Sequence, residues 1–398
     1  MKIRKLEMNR WLDYTLLCLI MSLWCLQLNA AHEVRDSVIV SEVLHYNDAH
    51  GVPVVHVSIN DNDYVFLFDT GAGMTCVSDR VEREGNLPPH QTSKYIEGMD
   101  GSVSCVTIPS FVLGGVKVDS LEAIVLPRNN PGLRGLGVDG IIGADVLVNF
   151  VVTFDAREKV ITLSNHVLSE QLEWVPMKLW DGLPLLTFKL RGKEELYDVL
   201  GMFDSGSSMG AFGLPSVKGV EEWTSVGLID SVEEGRGTTT LMLGGRVGMD
   251  KLYRGKLKEC HLGNGVFPGI PVYTGGRDYL LLCFKLTDLG RLILDYPNRR
   301  FNFTAYENAV VWEGDRRPVT TTSVNGELKI SAVWGEKALE KLTPGYVVVA
   351  LDGKPTGRVP DRMPNIDTFI EMIKAQTVTV RNLEGKEQTL PVTLFLCK

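Results

Sequence analysis

The sequence predicts a mostly β protein that consists of two repeated segments and a small mixed α/β domain at the C-terminus. Three observations support this prediction. Short hydrophobic runs alternate with Gly, Asp and Asn clusters after residue 31, as in all-β domains. A hydrophobic strand that ends in an aspartate occurs twice, before Asp69 and before Asp204. Long helical periodicity is nearly absent before residue 335, and beyond it strand and helix patterns alternate.

The N-terminal residues have the pattern of a secretory signal peptide. Basic residues between Lys2 and Arg10 precede the apolar run Tyr14–Leu28, and the small residues Ala30 and Ala31 suit cleavage by a signal peptidase. A retained membrane anchor is the alternative, but the run is shorter than the ~20 residues that span a bilayer. We therefore expect residues 1–30 to be removed and the mature chain to be periplasmic or secreted, in a bacterial envelope, with no stable membrane span.

Charge and cysteine content exclude several classes of partner. The chain has 41 basic and 49 acidic residues and a net charge of −8, so nucleic acid is not an expected partner. Neither a Cys-x-x-Cys pair nor a His-Glu-x-x-His motif occurs, so no metal and no cofactor is predicted. The cysteines beyond the signal peptide are scattered and odd in number, which does not suggest a disulfide framework. They are Cys76, Cys105, Cys260, Cys283 and Cys397.

An internal repeat defines the organisation of the chain. The first repeat (residues 51–155) and the second repeat (residues 182–295) each begin with Gly-hydrophobic-Pro, a strand and a polar turn. Each continues with a strand that ends in Asp-Thr-Gly or Asp-Ser-Gly, and each closes with an apolar run and a strand that ends in Asp. The repeat predicts two consecutive lobes, residues 31–165 and 166–305, before a separate domain at residues 306–398.

The two repeated aspartates suggest catalysis by a pair of carboxyl groups. Two carboxylates held close together cannot both ionise cheaply, so they share one proton and divide the roles of base and acid. A water between Asp69 and Asp204 would lose its proton to the ionised carboxylate and attack a carbonyl carbon. One strand–Asp–turn unit alone would also fit an ordinary capped turn, but its duplication favours a catalytic pair.

The residues that follow each aspartate support the same hypothesis. Gly71 and Gly206 would let backbone N–H groups approach the carboxylates closely, because glycine has no Cβ atom. Thr70 and Ser205 place a hydroxyl at the same point of each loop, where it could hydrogen-bond the other loop. Simple capping of the turn is the alternative role for these hydroxyls.

On these motifs, the sequence resembles the pepsin/retropepsin superfamily of aspartic peptidases over roughly residues 36–305, most of all the bacterial proteins that carry both lobes in one chain. The resemblance implies a bilobal fold of double-ψ β-barrels and an endopeptidase with Asp69 and Asp204 as its dyad. A peptide or an unfolded protein would be the substrate. It also implies a flap, with its turn at Gly98-Met99-Asp100-Gly101 and a weaker counterpart at Gly244-Gly245.

The second repeat departs from the family pattern at one position. The hydrophobic-hydrophobic-Gly strand of the family matches Ile141-Ile142-Gly143, whereas the second repeat has Cys283 in place of the glycine. A side chain there is expected to crowd the strand crossing behind Asp204 and to distort the second lobe. A catalytically inactive scaffold that binds peptides is therefore the main alternative to an endopeptidase.

The C-terminal region, residues 306–398, resembles a PDZ domain through Leu342-Thr343-Pro344-Gly345 and the segment Ala350 to Pro355. The resemblance implies binding of a C-terminal peptide ligand by strand addition. Thr321 to Gly326 is the only candidate for the carboxylate-binding loop, and Tyr346 replaces the usual Asp. A structural appendage without a peptide ligand is the alternative.

Two motifs of other enzyme classes also match by letter. Gly206-Ser207-Ser208-Met209-Gly210 fits the nucleophile elbow of α/β-hydrolases, but a helix of useful length cannot follow it. The glycines of residues 135–140 fit a dinucleotide-binding motif, but they follow an apparent loop, Asn129 to Arg134, and not a strand. Neither motif has the structural context that its chemistry needs.

Overall fold

The protein is described by a computed structural model, which covers residues 41–90, 94–95, 102–127, 129–166, 171–208, 210–214, 217–242, 245–274, 279–311, 313–359, 372 and 374–396. Within these ranges no helix is long and apolar enough to cross a membrane. The predicted signal peptide, the predicted flap turn Gly98-Met99-Asp100-Gly101 and Cys397 lie outside the described residues.

The chain is mostly β, as predicted, and its strands are short. Up to residue 164 the elements are, in chain order, β1 (Ser41–His45), β2 (Val54–Ile59), β3 (Asn62–Phe68), β4 (Cys76–Ser78), α1 (Asp79–Glu84), β5 (Lys94–Tyr95), β6 (Ser102–Val103), β7 (Cys105–Leu113), β8 (Val116–Leu126), α2 (Pro131–Leu136), β9 (Gly140–Ile142), α3 (Ala144–Leu147), β10 (Val151–Asp155) and β11 (Val160–Ser164).

The next part of the chain has the same kinds of element in a similar order. They are β12 (Val175–Pro176), β13 (Lys178–Trp180), β14 (Leu183–Arg191), β15 (Leu196–Asp204), β16 (Phe212–Leu214), α4 (Val217–Ser225), β17 (Ile229–Met242), β18 (Gly245–Leu257), β19 (Glu259–Leu262), β20 (Gly265–Pro268), β21 (Pro271–Thr274), β22 (Leu281–Cys283), a 3₁₀-helix (Phe284–Asp288), β23 (Gly290–Asp295) and β24 (Arg300–Ala305).

The C-terminal region contains a further set of strands around its own hydrophobic core. Its elements are β25 (Val319–Val324), β26 (Glu327–Trp334), α5 (Glu336–Leu339), β27 (Val347–Leu351), β28 (Lys354–Pro355), β29 (Thr377–Arg381), β30 (Glu387–Pro391) and a 3₁₀-helix (Val392–Leu394). Leu328, Ile330, Val378 and Val380 are among the buried residues of this core, which is separate from the cores of the repeats. We call residues 319–396 the C-terminal module.

The first repeat forms a closed barrel with the strand order β2-β3-β9-β4-β8-β7. Within it β3 and β9 run parallel, so that Phe68 lies opposite Ile142. The side chains of β3 alternate between two cores: Phe66 and Phe68 enter the main core, whereas Leu67 packs in a second cluster with Ile141. This alternation aims Asp69, two residues after Leu67, away from the main core.

The second repeat has the same strand crossing. Strand β15 runs parallel to β22, which places Asp204 opposite Cys283. Strand β16 is antiparallel to β22 and parallel to β21, just as β4 is antiparallel to β9 and parallel to β8. The predicted equivalence of Cys283 and Gly143 therefore holds in the strand register.

The last strands of the two repeats meet in one sheet, of order β1-β11-β10-β23-β24-β12. At its centre β10 pairs with β23 in antiparallel register, with Val152 opposite Leu294. Phe154 of β10 has its ring centroid 5.8 Å from that of Phe68 and 5.3 Å from that of Phe203. One aromatic side chain thus packs against both strands that lead to an aspartate.

Two helices were not expected from the sequence. Helix α4 is amphipathic and precedes the long hairpin β17–β18. Helix α2 occupies most of the segment that we interpreted as a loop, Asn129 to Arg134. Its sequence does carry helix signals: Asn130 caps the first turn with its side-chain oxygen, Pro131 follows, and Gly137 ends the helix at φ 68°. A six-residue helix escaped notice because the periodicity is too short to register.

The C-terminal strands follow the predicted pattern closely, with one difference. Thr321 to Gly326 does not form a loop before β26. Most of it lies in β25, which pairs with β26 across a tight turn at Asn325 and Gly326, both at positive φ. Asp367 to Ala375 has the spacing of a helix in the sequence, and most of it lies outside the described residues.

Candidate active site

The structure brings the two repeated aspartates together. Asp69 directly follows β3 and Asp204 ends β15, and both side chains are half-buried. A Cβ atom added to Gly71 would overlap the carboxyl group of Asp204, and one added to Gly206 would overlap that of Asp69. Each glycine therefore lies against the aspartate of the other repeat. Any larger residue at either position would push the two carboxyl groups apart.

The hydroxyl groups of Thr70 and Ser205 join the two loops reciprocally. Thr70 Oγ1 donates to the carbonyl of Phe203 at 2.8 Å and accepts from the backbone N–H of Ser205 at 3.0 Å. Ser205 Oγ donates to the carbonyl of Phe68 at 2.7 Å and accepts from the N–H of Thr70 at 3.0 Å. Both side chains are 0% exposed. In a buried site these four bonds hold the two loops in one relative position.

Backbone groups fix Asp69 further. The N–H of Gly71 donates to Asp69 Oδ1 at 2.8 Å, and the N–H of Asp69 itself donates to the carbonyl of Ile142 at 3.1 Å. The first bond holds the carboxyl group against its own loop. The second joins the loop to the strand behind it. The aspartate is thus oriented by its own loop and by β9.

A buried polar group supports the first loop from behind. Thr75 Oγ1 donates to Asp145 Oδ1 at 2.8 Å, and the N–H of Thr75 donates to Asp145 Oδ2 at 2.9 Å. The N–H of Gly143 donates to Thr75 Oγ1 at 3.2 Å. Burial raises the pKa of Asp145 above its ordinary value, although the hydrogen bonds from Thr75 oppose that shift.

The second loop is supported differently. The N–H of Cys283 donates to the carbonyl of Ala211 at 2.8 Å, and the hydroxyl of Ser207 donates to Cys283 Sγ at 3.3 Å. Cys283 is fully buried. Its side chain is thus accommodated in the buried interior opposite Asp204, where it accepts a hydrogen bond from Ser207.

An apolar cluster lies beside each aspartate loop. In the first repeat Leu67 and Ile141 pack with Leu133 of α2 and Val103 of β6. In the second repeat Met202 and Leu281 pack together, with Tyr279 partly buried against them. Leu67 and Met202 each precede an aspartate by two residues, so they share the face of the strand that carries it. Each aspartate therefore follows the apolar cluster of its own repeat on the same face of the strand.

The stem of a hairpin lies where the sequence predicted a flap. Lys94 pairs with Val103 and Tyr95 pairs with Ser102, in antiparallel register. The predicted turn residues Gly98, Met99, Asp100 and Gly101 lie beyond the described part of this hairpin. In the second repeat β17 and β18 form a longer hairpin, whose last described pair is Met242 with Gly245. It occupies the place of the weaker candidate at Gly244-Gly245.

Sequence reasoning missed the group behind the first loop. Asp145 lies two residues after Gly143, and Thr75 lies six residues after Asp69. An acidic residue directly after an apolar strand was a signal, because a carboxylate in such a place needs buried donors. The partner could not be found from sequence, since Thr75 lies 70 residues earlier in the chain, just before β4.

Comparison with known proteins agrees with this geometry in part. A family model described as aspartyl protease matches residues 55–146. The match includes Asp69, Thr75 and Asp145, covers less than half of the chain, and supports aspartic protease activity. No curated protein matches the chain.

Among the solved structures to which the chain is similar is a retropepsin-like aspartic protease from Rickettsia conorii. It aligns at 16% identity over 32% of this chain and 92% of its own length, with a TM-score of 0.26.

Proposed function

We propose that the protein is an aspartic endopeptidase in which Asp69 and Asp204 activate a water molecule. The main support for the proposal is the reciprocal hydrogen bonding of Thr70 and Ser205, which holds each aspartate in contact with the glycine of the other repeat. Catalysis by two carboxyl groups needs such a fixed, close pair, because proton sharing depends on their separation.

The chemistry follows from the proximity of the carboxyl groups. One carboxylate, ionised, takes a proton from the water as it attacks the peptide carbonyl carbon. The other, protonated, donates a hydrogen bond to the carbonyl oxygen as negative charge develops there. The proton then passes to the leaving amine as the C–N bond breaks, which returns the pair to its starting state. The near symmetry of the two loops leaves either residue able to act as the base.

The surroundings favour an extended peptide as the substrate. The apolar clusters of Leu67 and Met202 lie beside the two aspartate loops, which favours a substrate with apolar side chains next to the scissile bond. The hairpin stem of β5 and β6 offers backbone groups to a strand-like ligand. An unfolded protein segment can adopt that shape, whereas a folded domain cannot present one.

The localisation and the role of the C-terminal module are part of the same proposal. The N-terminal pattern supports an exported protein, periplasmic or secreted, with residues 1–30 removed. The resemblance of the C-terminal region to PDZ domains supports a second peptide-binding site there.

Cleavage of a mixed peptide library by the mature chain from acidic to neutral pH tests the proposal. Asp69→Asn and Asp204→Asn should each lower kcat/KM by about 10³-fold or more, because the proton transfer needs both carboxyl groups. Asp119→Asn is the matched control, since Asp119 is exposed and pairs only with Lys117 among the described ion pairs. Peptide binding without cleavage in all four proteins would contradict the proposal and favour a non-catalytic scaffold.

A further inference from the structure

The long hairpin of the second repeat reaches the first repeat. Strand β17 lies against helix α2, which belongs to the first repeat. Leu133 of α2 packs in the cluster of Leu67 and Ile141 beside Asp69. We call the described residues of β17 and β18, 229–242 and 245–257, the second-repeat hairpin. Because it contacts α2, it lies next to the part of the first repeat that packs beside the loop of Asp69.

Strand β18 of the second-repeat hairpin pairs with β21 of the same repeat at residues 254–256, and β17 has its second neighbour in the C-terminal module. Strand β26 of the C-terminal module pairs with β17 in antiparallel register, with Gly235 opposite Trp334 and Gly237 opposite Ala332. The N–H of Gly335 donates to the carbonyl of Glu234 at 3.3 Å. Beyond the contact with β21 the hairpin has only two strands, which alone would be marginally stable in water, so the pairing of β26 with residues 235–237 contributes to its order.

Side-chain packing makes this junction specific. Trp334 is 3% exposed, and its ring lies on Gly235, where a Cβ atom would overlap it. Leu252 of β18 and Ala332 complete the small buried cluster around Trp334. Gly237 has φ 121°, and a Cβ atom there would lie 2.8 Å from the Cα of Ala332. The glycines of β17 thus permit the close approach of β26.

Arg254 connects the same hairpin to the segment before the module. Its guanidinium carbon lies 4.8 Å from the centre of the Trp334 ring, and it donates to Glu233 Oε2 at 2.6 Å. It also donates to the backbone carbonyls of residues 315, 316 and 317, at 3.0, 3.1 and 2.8 Å. With 9% exposure, Arg254 is a buried cation, and each of its three guanidinium nitrogens donates to an acceptor of the junction.

We infer that the C-terminal module is a structural part of the substrate cleft, in which Trp334 acts as a positioning residue for the second-repeat hairpin. The inference rests on the proposed peptidase function, since it assigns the hairpin to the cleft of that enzyme. Binding of an extended peptide between the hairpin and the dyad requires an ordered hairpin. Loosening the junction with β26 therefore weakens substrate binding and leaves the chemical step intact.

Trp334→Ala in the full mature chain tests this inference. The KM for a library-derived peptide should rise about tenfold while kcat stays within about threefold, because the dyad is untouched. The pH profile of kcat should keep its shape, and Trp334→Phe should restore most of the affinity. Amide exchange at residues 235–237 should become at least about tenfold faster, which reports on the hairpin itself.

A second pair of variants keeps the test valid if Trp334→Ala does not fold. Arg254→Lys keeps the charge but loses the planar fork that holds three carbonyls, so it should raise KM by about threefold. Arg381→Lys is the matched control: Arg381 binds Glu327 inside the C-terminal module and should change nothing. Unchanged exchange in the hairpin, or faster exchange with unchanged KM, would overturn the inference. If the wild-type chain cleaves no peptide, the proposed function fails separately, and the affinity for a fluorescent peptide replaces KM.

Discussion

The two aspartate loops make the same hydrogen bonds to each other but are supported by different residues of their own repeats. Each loop has a hydroxyl that binds the backbone of the other loop. Within its own repeat, the first loop is supported by the hydrogen-bonded pair Thr75 and Asp145. The corresponding positions of the second loop are Gly210 and Lys285, and Lys285 lies at the surface beside Asp288.

The difference shows which contacts depend on both repeats. A change of either hydroxyl alters the backbone of the opposite loop, so neither repeat can change there alone. The support behind each loop involves one repeat only, so it can differ without moving the other aspartate. A cysteine is tolerated at position 283, where the first repeat has a glycine, because the residues around it also differ between the repeats.

The largest loss of stability is expected when one of the two hydroxyls that join the loops is removed. Thr70→Val keeps the shape of the side chain but leaves the carbonyl of Phe203 and the N–H of Ser205 buried without their partner. Ser205→Ala leaves the carbonyl of Phe68 and the N–H of Thr70 buried without their partner. Each variant should lose about 2–5 kcal/mol of unfolding free energy, since an unsatisfied buried group costs about 1–3 kcal/mol. Urea denaturation measures this loss, and the double variant should lose less than the sum. Additive losses would show that the hydroxyls act independently.

Exchanging the glycine and the cysteine tests the asymmetry directly. Gly143→Cys should destabilise by about 3 kcal/mol or more, because its Cβ would overlap the backbone of Met74 and lie 2.8 Å from the nitrogen of Thr75. Cys283→Gly removes a small buried group and should cost only about 1 kcal/mol. Thermal unfolding of both variants measures the contrast. Equal losses would contradict a difference in space behind the two loops.

Asp145→Asn tests the buried carboxyl group by pH. Because burial raises the pKa of Asp145 in the folded state, the folded protein binds more protons than the unfolded chain between the ordinary and the raised value. Stability should therefore fall as pH rises through that window, and the variant should lack this part of the slope. Urea midpoints measured from pH 4 upward decide the matter, with Asp119→Asn as the control. An unchanged slope would show that Asp145 does not titrate there.

The smallest effect is expected for Ser207→Ala. It removes a hydrogen bond to a thiol, a weak acceptor, so the loss should be about 0.5 kcal/mol or less. Chemical denaturation of the variant and of Cys283→Gly checks this value. A loss as large as that of Thr70→Val would mean that the bond between Ser207 and Cys283 contributes as much to stability as the hydroxyl of Thr70.

The sequence was sufficient for the parts of the site that repeat. The duplicated aspartates, glycines and hydroxyls could be identified because two copies of one local pattern are visible in a single chain. The equivalence of Cys283 with Gly143 followed from the same alignment. Contacts between distant strands could not be predicted, because residue spacing does not show which strands become neighbours. Asp145 with Thr75 is one such contact, and Trp334 on Gly235 is another.

The central pairing of β10 with β23 has a consequence for how the site assembles. The loops of Asp69 and Asp204 belong to one polypeptide, and the last strands of their repeats share one sheet, so the two loops come together in a unimolecular step of folding. The proposed pair of carboxyl groups therefore assembles at a rate that does not depend on the concentration of the protein.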